Sequence, residues 1–149
     1  MAGQSLYPVF EIPAAAEEKQ SSKLVHGKSW QFNFETGAFV TDGGNRMLEA
    51  DETTALLQWC IGACITPRGD YLAYSSQYGI DIDEVQNQPT RKAMELALEM
   101  TITEALLVNP RIDSVRGFSF TWYAEGVYAS FTVHPKTGEA QTLGIPYTL

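Results

Sequence analysis

The chain has 149 residues, of which 44% are hydrophobic and 19% charged, with a formal net charge of −8. This length fits one domain, and this hydrophobic fraction is enough to build a core. An acidic chain without a run of Lys or Arg repels phosphate backbones, and no stretch reaches the roughly 18 apolar residues of a membrane span. We therefore expect no contact with nucleic acid or membrane.

The first 29 residues form a segment of mixed composition. Pro8 and Pro13 flank a few apolar residues, and residues 14–22 are small or polar. We predict an extended N-terminal arm over 1–29 without a core of its own, followed by one domain over 30–149. Two interpretations stay open, a frayed terminus and an arm that becomes ordered on assembly.

Residues 30–40 have the pattern of a β-hairpin. Trp30, Phe32 and Phe34 alternate with polar residues, which is typical of a half-buried strand. Thr36 and Gly37 supply a turn, and residues 38–40 return as the second strand.

A first helix is predicted from Asp51, a suitable N-cap, to about Ile65. It ends before Pro67, because the residue preceding a proline disfavours helical angles. Cys60 and Cys64 lie within this helix, and we interpret both as core residues. Residues 71–74 are predicted to form a short strand or an extended segment.

A second long helix is predicted over residues 90–108. Met94, Leu98 and Ile102 begin an apolar stripe that continues to Leu106. Leu96, Met100 and Leu107 widen the apolar surface, so that more than one face is available for packing. Asn109 and Pro110 end the helix.

The C-terminal third is predicted to be β-structure. One strand contains Val115, Phe118, Phe120 and Trp122, and the next alternates from Val127 to Val133. The residues after Gly138 form a further strand, which adds either to this sheet or to that of a neighbouring molecule. The fold class is therefore α+β: a mainly antiparallel sheet with two principal helices packed on one face.

No catalytic constellation is present in the sequence. It contains no Gly-rich phosphate loop, no nucleophile elbow and no His-Glu-x-x-His motif. The two histidines, His26 and His134, are far apart, and the cysteines have no histidine beside them to complete a zinc site. We therefore expect no enzymatic activity, no cofactor and no metal.

Several segments resemble the sheath-initiator family of phage and defective-prophage contractile tails. The resemblance extends over about residues 30–139 and depends on the order and spacing of segments rather than on one unique motif. The segments that carry it are residues 57–68, 71–80, 102–112, 118–120 and 127–133, preceded by the hairpin 30–40 with 42–44.

The family is similar to a broader baseplate-wedge group, often labelled lysozyme-like, that carries Glu-Pro-Arg after its long helix. The matching positions here are Asn109, Pro110 and Arg111, so the acidic residue is absent. Arg111 keeps the planar guanidinium that suits bidentate contacts with a partner. The alternative is that Arg111 caps the end of its own helix.

The resemblance implies a structural protein that is assembled in the bacterial host cytoplasm and resides in the baseplate of the tail particle. The implied partners are baseplate wedge proteins, the tail sheath protein and tail tube or hub proteins. Strands of sheath subunits would add to the meander over residues 115–134. The predicted partner-binding residues are Asn109, Pro110, Arg111, Val127, Ala129, Phe131 and Val133.

Three alternatives stay open. The first is a generic tail-assembly baseplate protein that does not contact the sheath. The second is a peptidoglycan hydrolase, which the lysozyme-like label suggests and for which no catalytic carboxylate pair is identified. The third is a cytoplasmic adaptor domain of the same fold class.

Overall fold

A computed structural model describes residues 28–149, and the predicted N-terminal arm lies almost wholly outside this range. The described residues form three α-helices and seven β-strands, which confirms the α+β prediction. None of these helices is long and apolar enough to cross a membrane. In chain order the elements are β1 (Ser29–Trp30), β2 (Phe32–Asn33), β3 (Ala38–Phe39), β4 (Glu49–Ala50), α1 (Glu52–Ile65), α2 (Ile82–Gln86), α3 (Arg91–Leu107), β5 (Ile112–Tyr123), β6 (Gly126–Pro135) and β7 (Gln141–Thr148).

The N-terminal hairpin is present but shorter than predicted. β2 pairs with β3 through Phe32 and Phe39, whereas β1 pairs with β4. Phe34 lies in the turn, and its ring meets Phe32 edge-on at 5.0 Å between ring centroids. The predicted strand therefore ends at Asn33. The turn that follows brings the rings of Phe34 and Phe39 against that of Phe32.

Helix α1 begins and ends where the sequence predicts. The Asp51 carboxylate accepts a hydrogen bond from Thr54 N at 3.3 Å, as an N-cap does. At the other end, Thr66 has extended backbone angles, and its hydroxyl donates to Gly62 O at 2.7 Å.

The predicted strand over residues 71–74 is wrong. This segment forms turns, with Tyr74 N–H donating to Tyr71 O, and Leu72 is fully exposed. The surrounding loop is closed instead by a parallel bridge between Pro67 and Ile80. The aromatic composition favours a strand locally, but no neighbouring strand lies alongside it within the described residues.

Helix α3 packs against β5 through a polar contact as well as its apolar stripe. Trp122 Nε1 donates to Glu95 Oε1 at 2.9 Å, and the Arg91 guanidinium lies 5.1 Å from the centre of the Trp122 ring. This hydrogen bond holds the pKa of Glu95 below its usual value. Glu95 therefore joins α3 to the sheet.

The C-terminal strands form an antiparallel meander in the order β5-β6-β7. β7 pairs with β6 over eight successive residues, from Thr148 opposite Gly126 to Gln141 opposite Val133. The residues after Gly138 were predicted to add either to the chain's own sheet or to that of a neighbouring molecule. They form the third strand of the chain's own sheet.

The core lies between one face of this meander and the helices. Its buried members come from α1, the loop before α2, α2, α3 and all three strands, and the largest include Phe131, Leu98, Ile102 and Leu106. Tyr147 of β7 reaches across this layer and donates its hydroxyl to Cys64 O at 3.0 Å. The last strand is thus bonded to α1 inside the core.

Both cysteines are core residues, as predicted. Cys60 and Cys64 are fully buried, and burial raises the pKa of the Cys60 thiol to about 12 and that of Cys64 further.

Because the thiolate is the reactive form, we expect Ellman's reagent at pH 8 to leave the native chain unmodified and to titrate two thiols in urea. Rapid reaction of one thiol in the native protein would contradict this packing.

Candidate partner-binding surfaces

The Asn109–Pro110–Arg111 turn connects α3 to β5. Asn109 N–H donates to Leu106 O, and the Asn109 side-chain oxygen accepts from Arg111 N at 3.0 Å. The side chain of Asn109 therefore shapes its own turn, as Asn commonly does.

Arg111 contacts the beginning of α1. Its Nη2 donates to Glu52 O at 3.3 Å and lies 3.5 Å from Glu52 Oε1. The side chain is 21% exposed, so part of the guanidinium faces solvent. Its side-chain bonds therefore join β5 to the N-terminus of α1 and do not cap α3.

An aromatic cleft opens beside this turn. We define the aromatic cleft by Trp30, Phe34, Phe39, Trp59 and Arg111; Phe32, Gln58 and Asn109 also line it. Phe39 is 52% and Trp30 43% exposed. Aromatic and Arg side chains are the residues that most often anchor protein interfaces.

Gln58 of α1 fixes the hairpin that forms one wall of the aromatic cleft. Its side-chain oxygen accepts from Phe32 N at 2.7 Å, and its Nε2 donates to Trp30 O at 2.9 Å. Sequence reasoning identified Asn109 and Arg111 but missed this wall. The signal was the Trp30–Phe32–Phe34 pattern, which was interpreted only as a strand.

The four predicted residues of β6 lie in the core. Val127, Ala129, Phe131 and Val133 are each at most 1% exposed, and β6 is the central strand. Both backbone edges of β6 are paired with β5 and β7. Direct contact of these four residues with a partner stays a prediction, and an added strand has access only to the outer strands.

The direction of the backbone groups on β7 follows from two hydrogen bonds at the ends of the meander. Leu149 N–H, just after β7, donates to Glu125 O, just before β6. Lys136 N–H, just after β6, donates to Arg111 O, just before β5. Bonded and non-bonded pairs alternate along antiparallel strands, so the even-numbered residues of β7 direct their backbone groups away from β6. These exposed residues are Thr142, Gly144, Pro146 and Thr148.

The outer edges of β5 and β7 differ in regularity. β5 has two register shifts, and Gly117 at the second has φ +70°. β7 keeps one register throughout. Bulges on an edge strand discourage pairing with a further strand, so β7 offers the more regular edge.

An apolar groove of about 210 Å³ lies beside the end of β7. We call it the β7 groove; Ile65, Pro67, Ile80 and Ile82 form it together with Pro146, Tyr147 and Thr148. Ile65 is 53% exposed. The edge thus combines outward-facing backbone groups with space for apolar side chains.

Comparison with known proteins identifies a family. The family model described as contractile injection system sheath initiator matches residues 28–138, which is most of the chain. A search of curated proteins gave no match. This family is structural and is not a known enzyme family. The chain therefore belongs to the contractile injection system sheath initiator family.

Proposed function

We propose that this chain occupies the baseplate of a contractile tail and provides the first ring of sheath subunits with a sheet edge. In this proposal a sheath strand adds to the outer edge of β7, and wedge and tube or hub proteins hold the initiator in place. The observation that carries the proposal is the regular outer edge of β7 beside the β7 groove, an edge to which no strand within residues 28–149 pairs.

The added strand would be held by backbone hydrogen bonds and positioned by its side chains. Thr142, Gly144 and Thr148 each direct a backbone N–H outward, whereas Pro146 has none. Alternate apolar side chains of the added strand would fill the β7 groove near Ile65. In strand addition, the backbone bonds supply affinity and the side chains set the register.

Pro146 also limits unwanted pairing. An exposed edge pairs readily with any other strand, and proteins often place proline there to prevent this. The missing N–H at Pro146 makes edge-to-edge pairing of two initiator copies less favourable. The missing N–H would weaken binding of a sheath strand less, provided that the strand places no backbone carbonyl opposite Pro146.

The aromatic cleft is our proposed wedge-binding surface. It is lined by Ala55, Gln58 and Trp59 of α1, whereas the β7 groove is at Ile65, the last residue of that helix. Ile65 lies six residues beyond Trp59 and ten beyond Ala55, which at 1.5 Å per residue is a separation of about 9 Å and about 15 Å along the helix. The two partners could therefore be bound at the same time.

Proline substitution at the free edge tests sheath docking. We expect Thr142→Pro with Thr148→Pro to remove two outward N–H groups without changing the core or the β6–β7 backbone bonds; the hydroxyl contact of Thr142 with Thr132 is lost in this variant and in its valine control alike. At about 1 kcal/mol per hydrogen bond, the loss weakens sheath docking about thirtyfold. The measurement is nucleation of purified sheath protein by wedge-bound initiator, counted by electron microscopy.

The matched control is Thr142→Val with Thr148→Val, which keeps both N–H groups and should nucleate normally. Phe39→Ser in the aromatic cleft should instead reduce wedge binding, measured by pull-down, and leave sheath growth on immobilised initiator intact. Normal nucleation by a folded proline variant would refute docking at β7. Wedge binding by the wild-type chain without any sheath growth would favour the generic baseplate alternative.

A further inference from the structure

Helix α3 has a second apolar stripe on the side opposite its core face. Leu96 is 53%, Met100 63% and Leu107 45% exposed. Their spacing of four and seven residues places them on one line along the helix. The core face of α3 is made by other residues, Leu98 and Ile102 among them, so the helix does not need this stripe for folding.

The stripe borders two neighbouring hollows on α3, which we together call the channel. One hollow is lined by Leu96 and Met100 with Glu84 and Gln88 from the α2 region, and another by Leu107 with Arg68. Glu104 lines both hollows and joins them. From Leu96 to Leu107 the helix rises about 16 Å, which is three turns. This length matches a short helix lying alongside.

The channel is acidic at its rim. Glu84 is exposed, and the Glu104 side chain is 63% exposed. Arg68 lies 3.6 Å from Glu104 and offsets part of its charge, whereas the nearby Lys92 lies 3.3 Å from Glu95, outside both linings. With a formal net charge of −8, the chain attracts basic partners and repels its own copies.

We propose that this channel binds an amphipathic helix of another protein in the particle, with an apolar stripe flanked by Lys or Arg. The apolar stripe would cover Leu96, Met100 and Leu107, and the basic flanks would face Glu84 and Glu104. Helix-in-groove recognition uses apolar anchors that repeat along one face of a helix, and the three residues here stand at i, i+4 and i+11. A second copy of this chain would bring two acidic rims together. Its lining residues are different from those of the β7 groove and the aromatic cleft, so the variants that test it leave both of those linings unchanged.

Site-specific photo-crosslinking in the assembling particle tests the proposal. p-Benzoylphenylalanine replaces Met100, and the crosslinked peptide is identified by mass spectrometry. We expect a peptide of a different particle protein that has apolar residues at helical spacing and a net positive charge. Adding Glu84→Lys with Glu104→Lys should lower the crosslink yield at least fivefold, whereas Glu125→Lys in the β5–β6 turn should not.

The other outcomes overturn the proposal. A crosslink to a second copy of the chain would identify a self-association surface, and a crosslink to an acidic or non-helical segment would identify a different kind of partner. A yield no higher than with the photo-reactive residue at Glu125 would mean that the channel is empty. Circular dichroism of each variant separates these results from misfolding.

Discussion

A chain truncated after Glu139 is expected to be unfolded, because the ten residues removed form a structural strand. β7 supplies Ile145 and Tyr147 to the core, at 2% and 6% exposure, and pairs with β6 along its length. Losing a large core side chain costs about 2–5 kcal/mol, and domains of this size are stable by only about 5–15 kcal/mol. The buried bond from Tyr147 to Cys64 is lost as well.

The measurement is near-ultraviolet circular dichroism with a urea titration of the truncated chain. The control is Thr142→Ala with Thr148→Ala, which changes β7 only on its exposed side and should keep a cooperative transition. A truncated chain that still unfolds cooperatively would mean that β7 is dispensable to the monomer. β7 would then be available for exchange with a neighbour, which is the alternative that the sequence left open.

The elements predicted from periodicity agree best with the structure where the pattern is long. Asp51 and Thr90 begin the two long helices, and alternation from Val127 to Val133 correctly predicts a strand with one buried face. The short strand expected at residues 71–74 is absent, because β-propensity without a neighbouring strand does not make a strand. The pairing of β1 with β4 could not be predicted, because it joins residues about twenty apart in sequence with the β2–β3 hairpin between them.

The candidate surfaces were less accessible to sequence reasoning. The resemblance directed attention to Asn109 and Arg111, but the aromatic cleft depends on Gln58 holding the hairpin to α1. Alternation on β6 identified residues that face one side of the sheet without indicating that the helices cover that side. Whether a strand is central or at an edge depends on β7, which the sequence could not assign to its own sheet.

Replacing Phe131 by alanine is expected to lower the free energy of unfolding by about 3–5 kcal/mol. Phe131 has no exposed surface, and its ring stacks on Phe118 at 5.3 Å between centroids. Strands on both sides hold the backbone of β6 in place, so the cavity cannot collapse. Tyr128→Ala on the same strand is the control; its side chain is 44% exposed, and the expected cost is about 1 kcal/mol.

Urea titrations give both values, and an unchanged slope would show that the variants unfold as the wild type does. The same position separates a core role from partner contact. Phe131→Leu keeps most of the buried volume, and we expect it to fold and to nucleate sheath growth at the wild-type rate, because the ring does not reach the surface. If this folded variant bound sheath protein weakly, Phe131 would be a partner contact and the sheet would have to open on docking. Normal nucleation would instead exclude a contact through the Phe131 ring and agree with docking at an outer strand of the sheet, as proposed for β7.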